Sequence, residues 1–301
     1  MSTKRRALTG VLLLDKPAGL SSTSALGRAK WIFQAEKAGH TGTLDPFATG
    51  LLPICFGEAA KFARFMLDAD KGYRATLRLG ETTPTGDTES EPDERREVNV
   101  DAEKIRSVLT TFLGPQTQIP PMHSALKQDG VPLYKLARKG IEVVREARAI
   151  TVDALDFVSL DGQELVVDAQ VSKGTYIRVL AEDIGEVLGC GAHLTALRRT
   201  STGGFSLADA LTLEQLEALA AEQRDARLLA PDALCLAVPA ITLDAVASKA
   251  FGHGQVIAIS DQLAGEFRIY ADDGRFLGIG MIAGADNHAT LTAVRLMSGN
   301  S

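Results

Sequence analysis

Cysteine and tryptophan are scarce: three cysteines and one tryptophan in 301 residues. Cys55, Cys190 and Cys235 lie far apart and form no CxxC pair, which argues against a disulfide framework or a structural zinc site. The five histidines show neither HExxH nor HxH, so no metal is expected. There is no GxGxxG and no Walker motif, which leaves a nucleotide cofactor without support. GxSxG is missing too, and with it the nucleophile elbow of a serine hydrolase. No apolar run approaches the roughly 18 residues of a membrane span. The first six residues are basic, but Val11-Leu12-Leu13-Leu14 is cut short by Asp15 and Lys16, too soon for a signal-peptide core. A cytoplasmic protein without a membrane partner is expected.

The chain is 45% hydrophobic and 23% charged, an ordinary globular composition, and its length suggests about two domains. The net charge of −6, taken alone, argues against nucleic acid as a partner. The charge is uneven, however. Acid is concentrated between Glu81 and Glu103, and the region after Phe205 is also acid-rich. Bases gather as Lys61, Arg64, Lys71, Arg74 and Arg78, as Lys127, Lys135, Arg138, Lys139, Arg145 and Arg148, and as Lys173, Arg178, Arg198 and Arg199. Converging on one face, these could hold a polyanion; dispersed, they are a solvated surface.

Gly10–Leu14 reads as a buried strand, and Ser21 or Ser22 as the cap of a helix that turns Ala25, Leu26, Ala29, Ile32 and Phe33 inward. A helix with Phe62, Phe65, Met66 and Ala69 aligned should follow. Tyr73, Ala75, Leu77 and Leu79 alternate with Arg74, Thr76 and Arg78 as in a half-buried strand. Thr82 to Asp93 reads as an exposed acidic loop. A helix from Asp101 should stop at Gly114-Pro115, and residues 119–148 form a polar, basic excursion with one short helix. Ile150–Val158 and Leu165–Val171 are expected strands. A helix carrying Val179, Leu180, Ile184, Val187 and Leu188 should end at Gly189, and another covers Leu213 to Leu219. From about Asp232 short apolar runs broken by Gly, Asp and Pro suggest a small β-rich domain.

The stretch with most chemical content is Gly39-His40-Thr41-Gly42-Thr43-Leu44-Asp45-Pro46-Phe47-Ala48-Thr49-Gly50. It places one carboxylate among small, polar and apolar residues. Pro46 biases Asp45 toward extended or turn angles. Leu44 and Phe47 can restrict water, so Asp45 would need a cation or hydrogen-bond donors to stay ionised. By local chemistry the same residues are also an ordinary Asp-Pro turn.

Taken in order, the motifs resemble those of the bacterial TruB-type tRNA pseudouridine synthases. The resemblance rests on Gly10-Val-Leu-Leu-Leu-Asp-Lys16-Pro17-Ala-Gly-Leu-Ser-Ser22, on the Asp45 stretch, and on Lys71-Gly-Tyr73-Arg74. It continues through Ile119-Pro-Pro-Met-His-Ser-Ala-Leu-Lys127, Ser172-Lys-Gly-Thr-Tyr176-Ile-Arg178 and His193-Leu-Thr-Ala-Leu197-Arg-Arg199. Thr43 stands where alanine is usual in the family, and His123 where tyrosine is common.

The resemblance implies an α+β pseudouridine-synthase fold. It has a central mixed, largely antiparallel sheet and a small C-terminal β-rich, PUA-like domain. Residues 1–230 would be catalytic, with an RNA-gripping thumb at about 119–148, and residues 231–301 the PUA-like domain. The implied reaction isomerises a uridine at position 55, in the T loop of elongator tRNAs, to pseudouridine. It needs no cofactor, no metal and no obligate protein partner. Asp45 would be the catalytic carboxylate and Arg178 its bidentate partner. Tyr73 would stack on the flipped base, and Tyr176 would lie near the uracil C5. His40 would fill the space the base leaves, and Leu197 would wall the pocket. Lys16 and Pro17 would support the site, and Lys127, Arg138 and Lys139 would grip the T arm. The competing reading is an RNA-binding or tRNA-folding protein acting without catalysis, which would need no buried acid.

Overall fold

The computed structural model describes residues 5–259, 264–284 and 289–298. A nine-stranded sheet organises the first part of the chain. Its strands are β1 (Gly10–Lys16), β2 (Ala38–His40), β3 (Thr49–Phe56), β4 (Lys71–Leu79), β5 (Gly114–Gln118), β6 (Arg148–Asp161), β7 (Glu164–Val171), β8 (Ala192–Thr202) and β9 (Phe205–Ser206). The order is β1-β3-β8-β4-β7-β6-β5, with β2 added to β3 and β9 to β8. Only the β3–β8 pairing is parallel, so the sheet is mixed and largely antiparallel, as expected.

On β4 the alternation is realised: Tyr73, Ala75, Leu77 and Leu79 are buried and Arg74 is exposed. These apolar residues share one core with α1 (Ser22–Ile32), α2 (Ala102–Thr111) and α3 (Ile177–Leu188). Ser21 caps α1, its Oγ accepting from the Ser24 amide at 3.1 Å, and Asp101 caps α2 through the Lys104 amide at 2.8 Å. Gly189, left-handed at φ +87°, ends α3.

The apolar residues that α3 buries are Ile177, Leu180, Ala181, Ile184 and Leu188, a three-four spacing that turns Val187 out to 56% exposure. Three expectations change. The helix expected around Phe62–Ala69 is a 3-10 turn, Gly57–Phe62, followed by the short helix Arg64–Leu67. Gly114-Pro115 does follow the end of α2, but the chain re-enters at once as β5. That strand lies at the sheet edge, where a proline without an N–H is tolerated. Finally, the acidic stretch is not uniformly exposed, since Thr83 and Asp87 are buried.

A second, five-stranded sheet follows: β10 (Ala240–Leu243), β11 (Ile257–Ala258), β12 (Gly265–Ala271), β13 (Phe276–Ala283) and β14 (Thr290–Leu296), in the order β10-β12-β13-β14-β11. Phe251, on α4 (Ala245–Gly252), is buried with Phe267, Ile269 and Leu291. The C-terminal region is therefore β-rich, as expected. The two sheets meet in a shared apolar cluster that includes Val11, Leu13, Phe62, Leu234, Cys235 and Ile279, and the Phe62 and Phe276 ring centroids are 5.2 Å apart. No helix among the described residues is long and apolar enough to cross a membrane.

Candidate active site

One register row runs through the site. Gly50 on β3 pairs with Arg199 on β8, Arg199 with Tyr73 on β4, and Tyr73 with Ala169 on β7. The parallel β3–β8 contact is so close that a Cβ on Gly50 would lie 2.3 Å from the Arg199 carbonyl oxygen. Gly50 also has φ +102°, so only glycine fits. The loop between β2 and β3 carries Asp45 to this junction.

That loop is tied down from beneath. Ser22 Oγ donates to the Leu44 carbonyl at 2.9 Å and accepts from the Leu44 amide at 2.7 Å. Lys16 is fully buried, and its Nζ donates to the carbonyls of Pro17 (2.8 Å), Leu20 (2.7 Å) and Pro46 (3.4 Å). Burial pushes the Lys16 amine down to about 8, against the opposing pull of Asp45. Lys16 thus braces the loop, and neither it nor the half-buried Pro17 lines the cavity described below.

Arg178 is the hub. Its Nε lies 3.2 Å from Asp45 Oδ2, its Nη1 donates to the Thr85 carbonyl at 3.0 Å, and its Nη2 donates to the His123 carbonyl at 2.7 Å. Nη1 is also 3.5 Å from Asp87 Oδ2. The expected bidentate fork on Asp45 is therefore replaced by a single contact, because the rest of the guanidinium is engaged elsewhere. Arg178 and Asp87 side chains are only 6% and 2% exposed, whereas Asp45 keeps 37% of its surface open. Burial raises the Asp45 carboxyl above its ordinary range; Arg178 opposes this and Asp87 adds to it.

Asp87 was not singled out from sequence, because it sits among many surface acids. The signal for it is the turn Thr83-Pro84-Thr85-Gly86-Asp87. Thr85 Oγ1 and the Glu89 amide both donate to Asp87 Oδ1, at 2.7 and 2.9 Å, leaving Oδ2 toward Arg178. Gln118 was missed as well. Its amide clamps the backbone of Tyr176, accepting from the Tyr176 N–H at 2.8 Å and donating to the Tyr176 carbonyl at 3.1 Å.

Asp45, Tyr73, Tyr176, Arg178, Leu197 and Arg199 line one cavity of about 390 Å³. Tyr73 and Leu197 are 8% and 7% exposed, and burial raises the Tyr176 hydroxyl above its ordinary range. A second cavity of about 380 Å³ shares Asp45 and Arg178 with the first and is lined by His123, Tyr134 and Arg138 from the 119–148 excursion. His40 is half-buried outside both cavities. Burial and the nearby Arg199 lower its pKa, so the imidazole is neutral at pH 7.

The basic clusters separate on inspection of their partners. Lys61, Arg64, Arg74, Arg78, Lys173 and Arg198 are paired with Glu58, Glu266, Asp168, Glu164, Asp68 and Asp15. In the thumb, Lys127, Lys135, Arg138, Lys139 and Arg148 are exposed, and among the described residues none has a carboxylate within 4.0 Å. Lys127 and Lys139 line neither cavity.

Known proteins resemble this chain over most of its length. Residues 30–177 match the TruB family pseudouridylate synthase N-terminal domain. Residues 178–236 match the tRNA pseudouridylate synthase B C-terminal domain, and 239–297 the pseudouridine synthase II TruB C-terminal region. A tRNA pseudouridine synthase B of Burkholderia mallei is 53% identical over 282 residues, 91% of this chain and 93% of that one. Its counterpart in Thiobacillus denitrificans is 51% identical over 279 residues, 93% and 94% of the two chains. A chain from the crystal structure of a Cbf5-Nop10-Gar1 complex superposes with a TM-score of 0.75 at 25% identity, covering 98% of this chain and 86% of its own. This chain belongs to the TruB family of pseudouridylate synthases.

Proposed function

We propose that this enzyme, a uridine-to-pseudouridine isomerase acting on tRNA, takes its uridine from position 55 of the T loop of elongator tRNAs in the bacterial cytoplasm. It works without an obligate protein partner. The observation that carries the reading is the convergence of Asp45, Tyr73, Tyr176, Arg178 and Leu197 on one cavity.

The uridine is flipped into that cavity, since its C1′, C5 and C6 atoms must all be surrounded. Its ring stacks on Tyr73 against Leu197. Asp45, aimed by Arg178, supplies negative charge at the reacting centre as nucleophile or electrostatic partner. The N1–C1′ bond breaks, the uracil turns, and C5 bonds to C1′. The proton leaves C5, near Tyr176, and N1 gains one, so the isomerisation balances without redox change or net hydrolysis. His40, neutral, fills the gap in the T loop. Lys127, Arg138 and Lys139 hold phosphates of the T arm and offset the unstacking cost of a few kcal/mol. In this reading residues 1–230 are the catalytic domain and 231–301 a PUA-like accessory domain whose acidity limits its contact with RNA.

Incubation with an unmodified T stem-loop, followed by mapping of pseudouridine, should give one modified position. Asp45→Asn should bind the same RNA and form none. Pseudouridine formation by that variant at near wild-type rate would overturn the mechanism, and tight binding without isomerisation by the wild-type protein would favour the RNA-folding alternative.

A further inference from the structure

The main cavity carries two cations besides Arg178, Lys71 and Arg199, that the isomerisation does not use. Arg199 is 1% exposed, the largest fully buried side chain among those described. Its Nε donates to the Leu51 carbonyl at 2.7 Å, and its Nη2 lies 3.4 Å from the Gly42 carbonyl. Among the described residues Nη1 has no hydrogen-bond partner, and no carboxylate lies within 4.0 Å of the guanidinium. Arg178, by contrast, faces two acids. Lys71 lines the same cavity; its Nζ donates to the backbone carbonyls of Leu67 and Ala69. The acids whose charge acts on Lys71 are Asp70 and Asp68, the latter paired with Lys173 at 2.8 Å. Burial, with the charge of Arg199 added, pushes the Lys71 amine down to about 8.

A buried guanidinium without a counter-ion is unfavourable for the fold, and a neighbouring ammonium makes it more so. We propose that Lys71 and Arg199 form an anion subsite that holds a phosphodiester group flanking the flipped uridine. The inference rests on the function proposed above and adds a contact to it. Uracil and ribose are neutral, so the phosphodiester is the anionic group such a substrate brings into the cavity. Register supports the placement. Arg199 and Tyr73 are directly opposed across β8 and β4, and such cross-strand Cβ atoms are about 5 Å apart. A base stacked on Tyr73 therefore brings its own backbone within reach of Arg199. The thumb cations are exposed and screened by salt, whereas this pair acts inside the site, where its hold on a phosphate is stronger.

The test begins with the wild-type protein and a set of T stem-loops, each with one phosphodiester replaced by an uncharged methylphosphonate. One linkage beside the target uridine should lose about 10- to 150-fold in kcat/KM, the worth of a charge-assisted hydrogen bond. Arg199→Met, checked for folding by circular dichroism, should be indifferent to that substitution, and Arg199→Lys should recover part of the sensitivity. Lys71→Met, at a less buried position, should reduce the salt slope of binding by about 0.7. If no linkage next to the uridine costs the wild-type enzyme more than about twofold, or if Arg199→Met and Lys71→Met keep wild-type sensitivity there, the subsite does not exist. The unsubstituted stem-loop is the control. Failure to isomerise it would overturn the functional reading itself, whereas full isomerisation indifferent to every methylphosphonate would overturn the subsite alone.

Discussion

Nη1 of Arg178 lies 3.5 Å from Oδ2 of Asp87, and both side chains are almost completely buried. The more exposed acid, Asp45, contacts the same guanidinium at Nε. The carboxylate proposed as catalytic is thus aimed by an arginine that is itself anchored by a second carboxylate.

Asp87→Asn preserves shape and removes that anchor. The expected result is a fall in kcat of about 10- to 100-fold, the scale of one oriented electrostatic contact, with little change in KM for RNA. A pH profile separates this from simple loosening. The charge on Asp87 raises the Asp45 carboxyl, so its removal should move the acid limb of kcat to lower pH. An unchanged acid limb would count against the coupling.

Lys16→Met should leave the carbonyls of Pro17, Leu20 and Pro46 without their buried donor. We expect a loss of about 2–5 kcal/mol in stability by urea unfolding, because unsatisfied buried groups cost about 1–3 kcal/mol each and the loop can relax toward water. The surviving folded enzyme should show reduced kcat, since the Asp45 loop rests on that amine.

Burial, with Asp183 beside it, pushes the Glu182 carboxyl up to about 7. Between pH 4.5 and 7 the folded chain keeps a proton that the unfolded chain releases. Stability from this group is complete below about pH 4.5 and is lost as pH rises toward 7. Thermal melts of wild type and Glu182→Gln should diverge over that window, with the wild type declining more steeply. Parallel curves would refute the assignment.

Gly50→Ala forces a Cβ to within 2.3 Å of the Arg199 carbonyl at a backbone angle that disfavours side chains. Strain and overpacking together should cost about 2–6 kcal/mol. Expression of soluble protein and the midpoint of denaturation would measure it.

Much of the scaffold was legible because local signals agreed with tertiary demand. The alternation on β4, the Ser21 and Asp101 caps and the Gly189 stop are all realised. The carboxylate, its arginine, both tyrosines and Leu197, far apart in sequence, line one cavity. Composition concealed the rest. Asp87 carries the same letter as its solvated neighbours, and only the fold reveals which acid of that stretch turns inward. β5, with Pro115, Gln116, Thr117 and Gln118, lacks apolar alternation because it is an edge strand, yet it supplies the amide that clamps Tyr176. The resemblance implied that Lys16 supports the site, but nothing in the sequence shows that its amine, at the end of β1, reaches three carbonyls.

The apolar cluster in which Val11, Leu13 and Phe62 meet Leu234, Cys235 and Ile279 makes the C-terminal module part of the enzyme's structural integrity. Severing the chain between the two sheets would not release two finished folds. It would uncover Phe62 and its neighbours as an apolar, adhesive face on the half that carries the larger sheet, leaving it prone to association with itself. Heat should accordingly melt both halves in one cooperative step.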